Sequence, residues 1–238
     1  MRFARIGLLL FLLLLVVPVW AQQATQSSAQ PASDPQAVAV VQAAITALGG
    51  ATAIGQAQSW TFQAQMQGPH ANGDISYVIS ADTDTGKLVR RDGTMEPAPP
   101  IHSHFVPALA ATILLNESQS PEFTMSYGGA SMLDSKPVTV VTFFFADGPR
   151  FPAQIWTFDA ANLPVMIDFR SSAQVGARAS FPFAVALSDY RSVSGVMYPF
   201  QIVSFVPWNP PEIVTLQSVN AKATAPPNDF NGPAGDLQ

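Results

Sequence analysis

From Trp60 the chain alternates. Trp60, Phe62, Ala64 and Met66 fall on one side of an extended segment, and Thr61, Gln63, Gln65 and Gln67 fall on the other. A period of two with one apolar and one polar face is the pattern of an antiparallel strand covered on one side only. Short apolar runs separated by turn residues continue to the end of the chain. Asp74 to Ser80 follows the Asn72-Gly73 pair, Gly86 to Gly93 comes next, and further runs flank Leu133 to Ser135, Asp159 to Asn162 and Ser192 to Gly195 before a last one from Glu212. Spacing of this kind predicts a single antiparallel sheet of nine or ten strands.

Two segments have a different period. Val38, Val41, Ile45 and Leu48 form a helical stripe, with Asp34 or Ser33 as its cap, Pro35 at its first position and Gly49-Gly50 as its stop. A second short turn, Ala51 to Gln56, follows. Further on, the stretch from Met95 to Phe105, MEPAPPIHSHF, is too rich in proline for a sheet interior. The helix expected after it, Pro107 to Leu115, is apolar on almost every side and should lie over an apolar surface. The fold class is therefore α+β, mainly β.

The N-terminus carries an address. Arg2 and Arg5 precede an unbroken apolar run, Gly7 to Val17, then Pro18 and Val19-Trp20-Ala21. This is the layout of a secretory signal peptide over residues 1–21, cleaved after Ala21. The run is shorter than the roughly 17–25 residues a bilayer-spanning helix needs, and no cysteine follows for lipid attachment, so no stable membrane insertion is expected after cleavage. Residues 22–35, polar and of low complexity, read as a disordered linker. Residues 36–225 are the folded domain, and 226–238 a flexible tail rich in Pro, Gly, Asn and Asp. The expected location is the periplasm or the exterior.

Composition removes whole classes of function. Cleavage takes away two arginines and leaves 9 basic against 16 acidic residues, a net charge of −7. Such a chain has no electrostatic footprint for nucleic acid or for an anionic membrane. With no cysteine, thiol catalysis and thiolate metal sites are excluded. His102 and His104 alternate on an extended segment and could share a metal, but no third ligand stands at a fixed spacing, and a solvated loop pair is the competing reading. The serines and carboxylates form no nucleophile elbow and no paired acidic motif. Gly128-Gly129-Ala130-Ser131 lacks the strand-to-helix context of a phosphate loop. Asp189-Tyr190-Arg191 reads as a salt-bridged strand end. No enzyme, cofactor or metal is expected.

The aromatic residues are the informative feature. Most of them lie in or beside strands, where core packing is their ordinary role. A single sheet buries such residues only if something covers its face. Either the helices fill that face, or part of it stays open to an apolar ligand.

Several of these segments taken together resemble the LolA/LppX-like superfamily of periplasmic lipoprotein and lipid carriers. The order is a signal peptide, a helix ending in ALGG (Ala47 to Gly50), and the strand from Trp60. A hairpin then carries Trp156, Phe158, Asp159, Leu163 and Pro164. The next carries Asp189, Tyr190, Arg191, Gly195, Val196, Pro199 and Phe200. The resemblance spans Gln36 to about Ala223. It implies a strongly curved half-barrel sheet with helices over its concave face, and a non-enzymatic protein that binds or carries a lipid or acyl chain. The apolar face and its cover would be Trp60, Phe62 and Met66 from the first strand, Leu114 from the covering helix, and Phe144, Trp156, Phe158, Phe169, Phe183 and Phe200 from later strands. The alternative is a fully packed sheet that acts as a structural module with an envelope protein partner.

Overall fold

The computed structural model describes residues 32–222 except 58, 70–71, 81–82, 91–94, 98–105, 146–151 and 173–179. The predicted leader, most of the linker, His102, His104 and the C-terminal tail lie outside the described residues.

Helix α1, Pro35–Ala47, starts as its sequence predicts. The Asp34 carboxylate accepts the Gln36 N–H at 2.8 Å, and Pro35 occupies the first turn. Ser33 and Asp34 also tie the chain to the sheet. The Ser33 hydroxyl accepts the Met125 N–H at 3.0 Å, and the Asp34 N–H donates to the Met125 carbonyl at 2.8 Å. The last residues of the predicted linker are thus held in place. Helix α2, Ala51–Gln56, follows the Gly49-Gly50 break.

Among the described residues eleven strands follow: β1 Ser59–Gln67, β2 Asn72–Ser80, β3 Thr83–Arg90, β4 Met95–Pro97, β5 Phe123–Leu133, β6 Lys136–Phe145, β7 Pro152–Phe158, β8 Pro164–Ser172, β9 Ser180–Val193, β10 Val196–Phe205 and β11 Glu212–Lys222. A 3-10 turn, Val106–Leu109, leads into helix α3, Ala110–Gln119. All strands join one antiparallel sheet in the order β4-β3-β2-β1-β11-β10-β9-β8-β7-β6-β5. The chain makes two meanders, β1–β4 and β5–β11, joined where β1 pairs with β11. The strand missing from the sequence reading is β4. Its proline is tolerated because β4 is an edge, where a lost N–H costs no ladder bond.

The edges β4 and β5 do not pair with each other, so the sheet stays open. It also cannot be flat. Each strand pairing adds roughly 20–25° of twist. Register shifts at Gln63/Ala64, Val78/Ser80, Tyr127/Gly129, Phe143/Phe144 and Thr157/Phe158 add local bends. The result is a single curved antiparallel sheet; the strand spacing predicted its antiparallel order, and the family resemblance implied its curvature.

The turns set the register. Asp134 and Ser135, both at positive φ, close the β5–β6 hairpin, and Ser194-Gly195 does the same for β9–β10. Between β7 and β8 the Asp159 carboxylate accepts the Ala161 and Leu163 N–H groups, each at 2.9 Å, with Asn162 at φ 62°.

The helices lie on one face. Helix α1 packs on β5 and β6, α3 packs on β10, and both helices touch each other. Helix α1 ends against the β9–β10 turn. There the Met197 N–H donates to the Leu48 carbonyl at 2.9 Å. Gly49, at φ 121°, comes so close that an added Cβ would lie 2.2 Å from the Gly195 carbonyl oxygen. The chain must also pass from edge β4 to edge β5, and α3 is part of that crossing.

Candidate functional site

The inner face is built by alternation along each strand. From β1 it receives Trp60, Phe62, Ala64 and Met66, from β9 Phe183, Val185 and Leu187, and from β10 Tyr198, Phe200 and Ile202, all within one apolar cluster. On β6 and β7 the rings form a row. Phe143 meets Trp156 at a centroid distance of 6.3 Å, and Trp156 stacks on Phe158 at 6.3 Å and 13°. Phe123 meets the edge of Phe143 at 6.4 Å. These distances fall in the range of favourable ring pairs.

Over this face sit Val41, Ala44, Ile45 and Leu48 of α1, Ile54 of α2, and Ala110, Ala111, Leu114 and Leu115 of α3, all buried. Leu114 has no exposed surface. Small residues at Ala110 and Ala111 let the helix approach closely, while Leu114 and Leu115 fill the remaining depth.

Two polar links cross this apolar layer. In the first, the Trp156 indole N–H donates to the side-chain Oε1 of Gln154 at 2.7 Å, and the Gln154 side-chain Nε2 donates to Glu117 Oε1 at 2.5 Å. Glu117 stands three residues beyond Leu114, so this chain ties the cover α3 to β7. Its other oxygen, Oε2, is buried without a hydrogen-bond partner. Burial pushes the Glu117 carboxyl up from 4.5 to about 7, against the lowering effect of the Gln154 hydrogen bond. In the second link, the Trp60 indole donates to the Tyr198 hydroxyl at 2.9 Å, bridging β1 and β10 across β11. Burial raises the Tyr198 pKa, and the bond from Trp60 opposes that shift.

The site residues expected from sequence are found as follows. Trp60, Phe62, Met66, Leu114, Trp156, Phe158, Phe183 and Phe200 come together in the cluster, each at most 7% exposed. Phe200 is further covered by the Arg191 guanidinium, 4.4 Å from the ring centroid. Phe144 is not with them: the inner position on β6 belongs to Phe143, and Phe144, next along the strand, is only half-buried. A one-residue offset moves a side chain to the opposite face, and three consecutive phenylalanines give no alternation to set the phase. Phe169 lies in β8 opposite Gln154, and its side chain is outside what the structure describes. Sequence reasoning missed the Glu117–Gln154–Trp156 chain. The available signal was Gln154, a polar residue on the same face as Trp156.

Chemically, the described face offers dispersion and burial with little reactive functionality. Among the described residues there is no group of three or more His, Cys, Asp or Glu that could hold a metal ion. The Asp189–Arg191 pair, 2.6 Å apart, is half-exposed on β9, as its sequence suggests. Tyr190 between them points inward and donates to the Pro164 carbonyl at 2.7 Å. Burial, and then the charge of Asp159, raise its pKa. No helix among the described residues is long and apolar enough to cross a membrane.

No protein-family model matches the chain, and no curated protein matches it. Among solved structures it is similar to a LolA superfamily protein from Nitrosomonas europaea, with 10% identity, 82% of this chain and 97% of that chain covered, and a TM-score of 0.49. A DUF1329 family protein from Desulfovibrio piger has 12% identity, coverage of 83% and 98%, and a TM-score of 0.47. The lipoprotein LppX of Mycobacterium tuberculosis has 12% identity, coverage of 79% and 97%, and a TM-score of 0.27. These likenesses transfer no functional residue to this chain.

Proposed function

We propose that the chain is an exported, non-enzymatic envelope protein that binds or carries a hydrophobic ligand, a lipid or acyl chain, between the aromatic face of its sheet and the α3 cover. The observation that carries this reading is the construction of the cover. Helix α3 has no side-chain N-cap. It is preceded by a proline-rich stretch, packs on β10 and belongs to the same apolar cluster as Phe143, Trp156 and Phe158. It holds β7 through a carboxylate whose second oxygen is buried without a partner. A cover with such an expensive attachment is suited to opening, and an acyl chain entering beneath it replaces apolar contacts with apolar contacts.

The packed-module reading has its own supporting observation: the described inner-face residues are buried without any ligand. Binding of a fluorescent fatty acid, measured by energy transfer from the tryptophans, separates the two. The proposal expects saturable binding. It also expects Leu114→Asp to weaken that binding at least tenfold while far-ultraviolet circular dichroism still reports a folded sheet. Wild-type protein that never binds the probe, or a Leu114→Asp variant that simply unfolds, favours the packed module.

A further inference from the structure

We propose that the loop between β10 and β11 docks the protein on the interfacial region of a zwitterionic lipid bilayer. Antiparallel alternation brings the ends of β6, β8 and β10 and the starts of β5, β7, β9 and β11 to one rim of the sheet. Four large hydrophobic side chains are exposed among the described residues, and three of them lie at this rim: Trp208 at 92%, Phe145 at 48% and Phe205 at 40%. The fourth, Met132, is at the opposite end of β5.

The loop is built to present Trp208. Its backbone has φ 69°, a left-handed conformation that bulky residues rarely adopt. A turn holds it there, in which the Asn209 N–H donates to the Val206 carbonyl at 3.2 Å. Val206 packs partly into the core, and Pro207, Pro210 and Pro211 stiffen both arms. A strained backbone that projects an indole into water gains nothing for the isolated fold, which is the usual signature of a functional constraint.

Charge and size identify the occupant. There is no charged residue between Arg191 and Glu212, and Glu212 is 3% exposed, so the loop can leave water without stripping an ion of its hydration. Trp settles at the headgroup level of bilayers, where its ring is buried and its N–H stays hydrated. The loop offers no basic cluster for anionic lipid, and exposed Glu122, just ahead of β5, would oppose it. Three scattered side chains also offer far less area than the roughly 1,200 Å² of a stable protein interface.

The proposal does not depend on ligand uptake beneath α3, and its test reads vesicle binding only. Full-length mature chain, Gln22 to Gln238, is mixed with phosphatidylcholine vesicles carrying brominated acyl chains. Trp60 and Trp156 are buried, so quenching should reach the Trp208 emission alone. Trp208→Ala should reduce co-sedimentation with the vesicles at least tenfold, while near-ultraviolet circular dichroism from the buried tryptophans stays unchanged. Met132→Ala should bind as wild type. The proposal is overturned by wild-type protein that stays in the supernatant, by Trp208→Ala binding as well as wild type, or by binding that appears only with anionic lipid. Trp208-dependent capture of an envelope protein without vesicle binding also overturns it.

Discussion

Glu117 sits where an apolar cover meets an aromatic sheet, and its protonation sets a pH dependence with a definite sign. Its carboxyl is raised from 4.5 to about 7 by burial, so the folded state holds the proton more tightly than the unfolded chain. The stabilisation from that proton is full below about pH 4.5 and is lost as pH rises toward 7, a change of about 3 kcal/mol by linkage. Glu117→Gln keeps a partner for Gln154 and removes the ionisation. Urea melts from pH 4 to 8 should show wild-type stability falling across that window and the variant's curve flatter, with the variant more stable at pH 8. Equal pH profiles would mean that the carboxylate is hydrated in solution. The sequence offered only part of this. Gln154 could be placed beside Trp156 by strand alternation, but Glu117 lies 37 positions earlier, and nothing local links the two.

At the scale of elements, α1 shows both what the sequence reveals and what it conceals. Its cap, its stripe and its Gly49-Gly50 stop were legible because each is a local rule of helix ends. The role of Gly49 as a contact with the β9–β10 turn was not, since that contact joins residues 146 positions apart. Gly49→Ala should therefore cost more than a lost helix stop. The Cβ meets backbone at 2.2 Å and the φ of 121° is unfavourable for any side chain, so a loss of at least about 2 kcal/mol is expected in urea melts. Gly50→Ala, with nothing within 4 Å of the added Cβ, should cost about 1–2 kcal/mol, the price of backbone strain alone. Strands were legible where alternation is clean, as in Trp60 to Gln67. They were less so in the Phe143–Phe145 run, where the phase was off by one, and at Met95–Pro97, where proline concealed an edge strand.

For the whole molecule, topology relates the cover to the sheet. The two edges of the open sheet, β4 and β5, are consecutive in the chain, so the segment between them has to cross from one edge to the other, and α3 lies on the inner face within that crossing. A helix placed there hides the apolar face that the opening strands of the sequence announce. The antiparallel order followed from turn spacing, and so did every strand except the edge β4. The pairing of β1 with β11 did not, because it depends on how far a twisted and bulged sheet curls. We propose that this face takes up a hydrophobic ligand beneath α3. It is tested most directly by native mass spectrometry of the protein purified from an envelope fraction, before and after solvent extraction. A bound species with the mass of a lipid or acyl chain is expected, absent after extraction and restored by adding back the extract. A single unliganded mass before and after extraction, with no adduct on add-back, would contradict it.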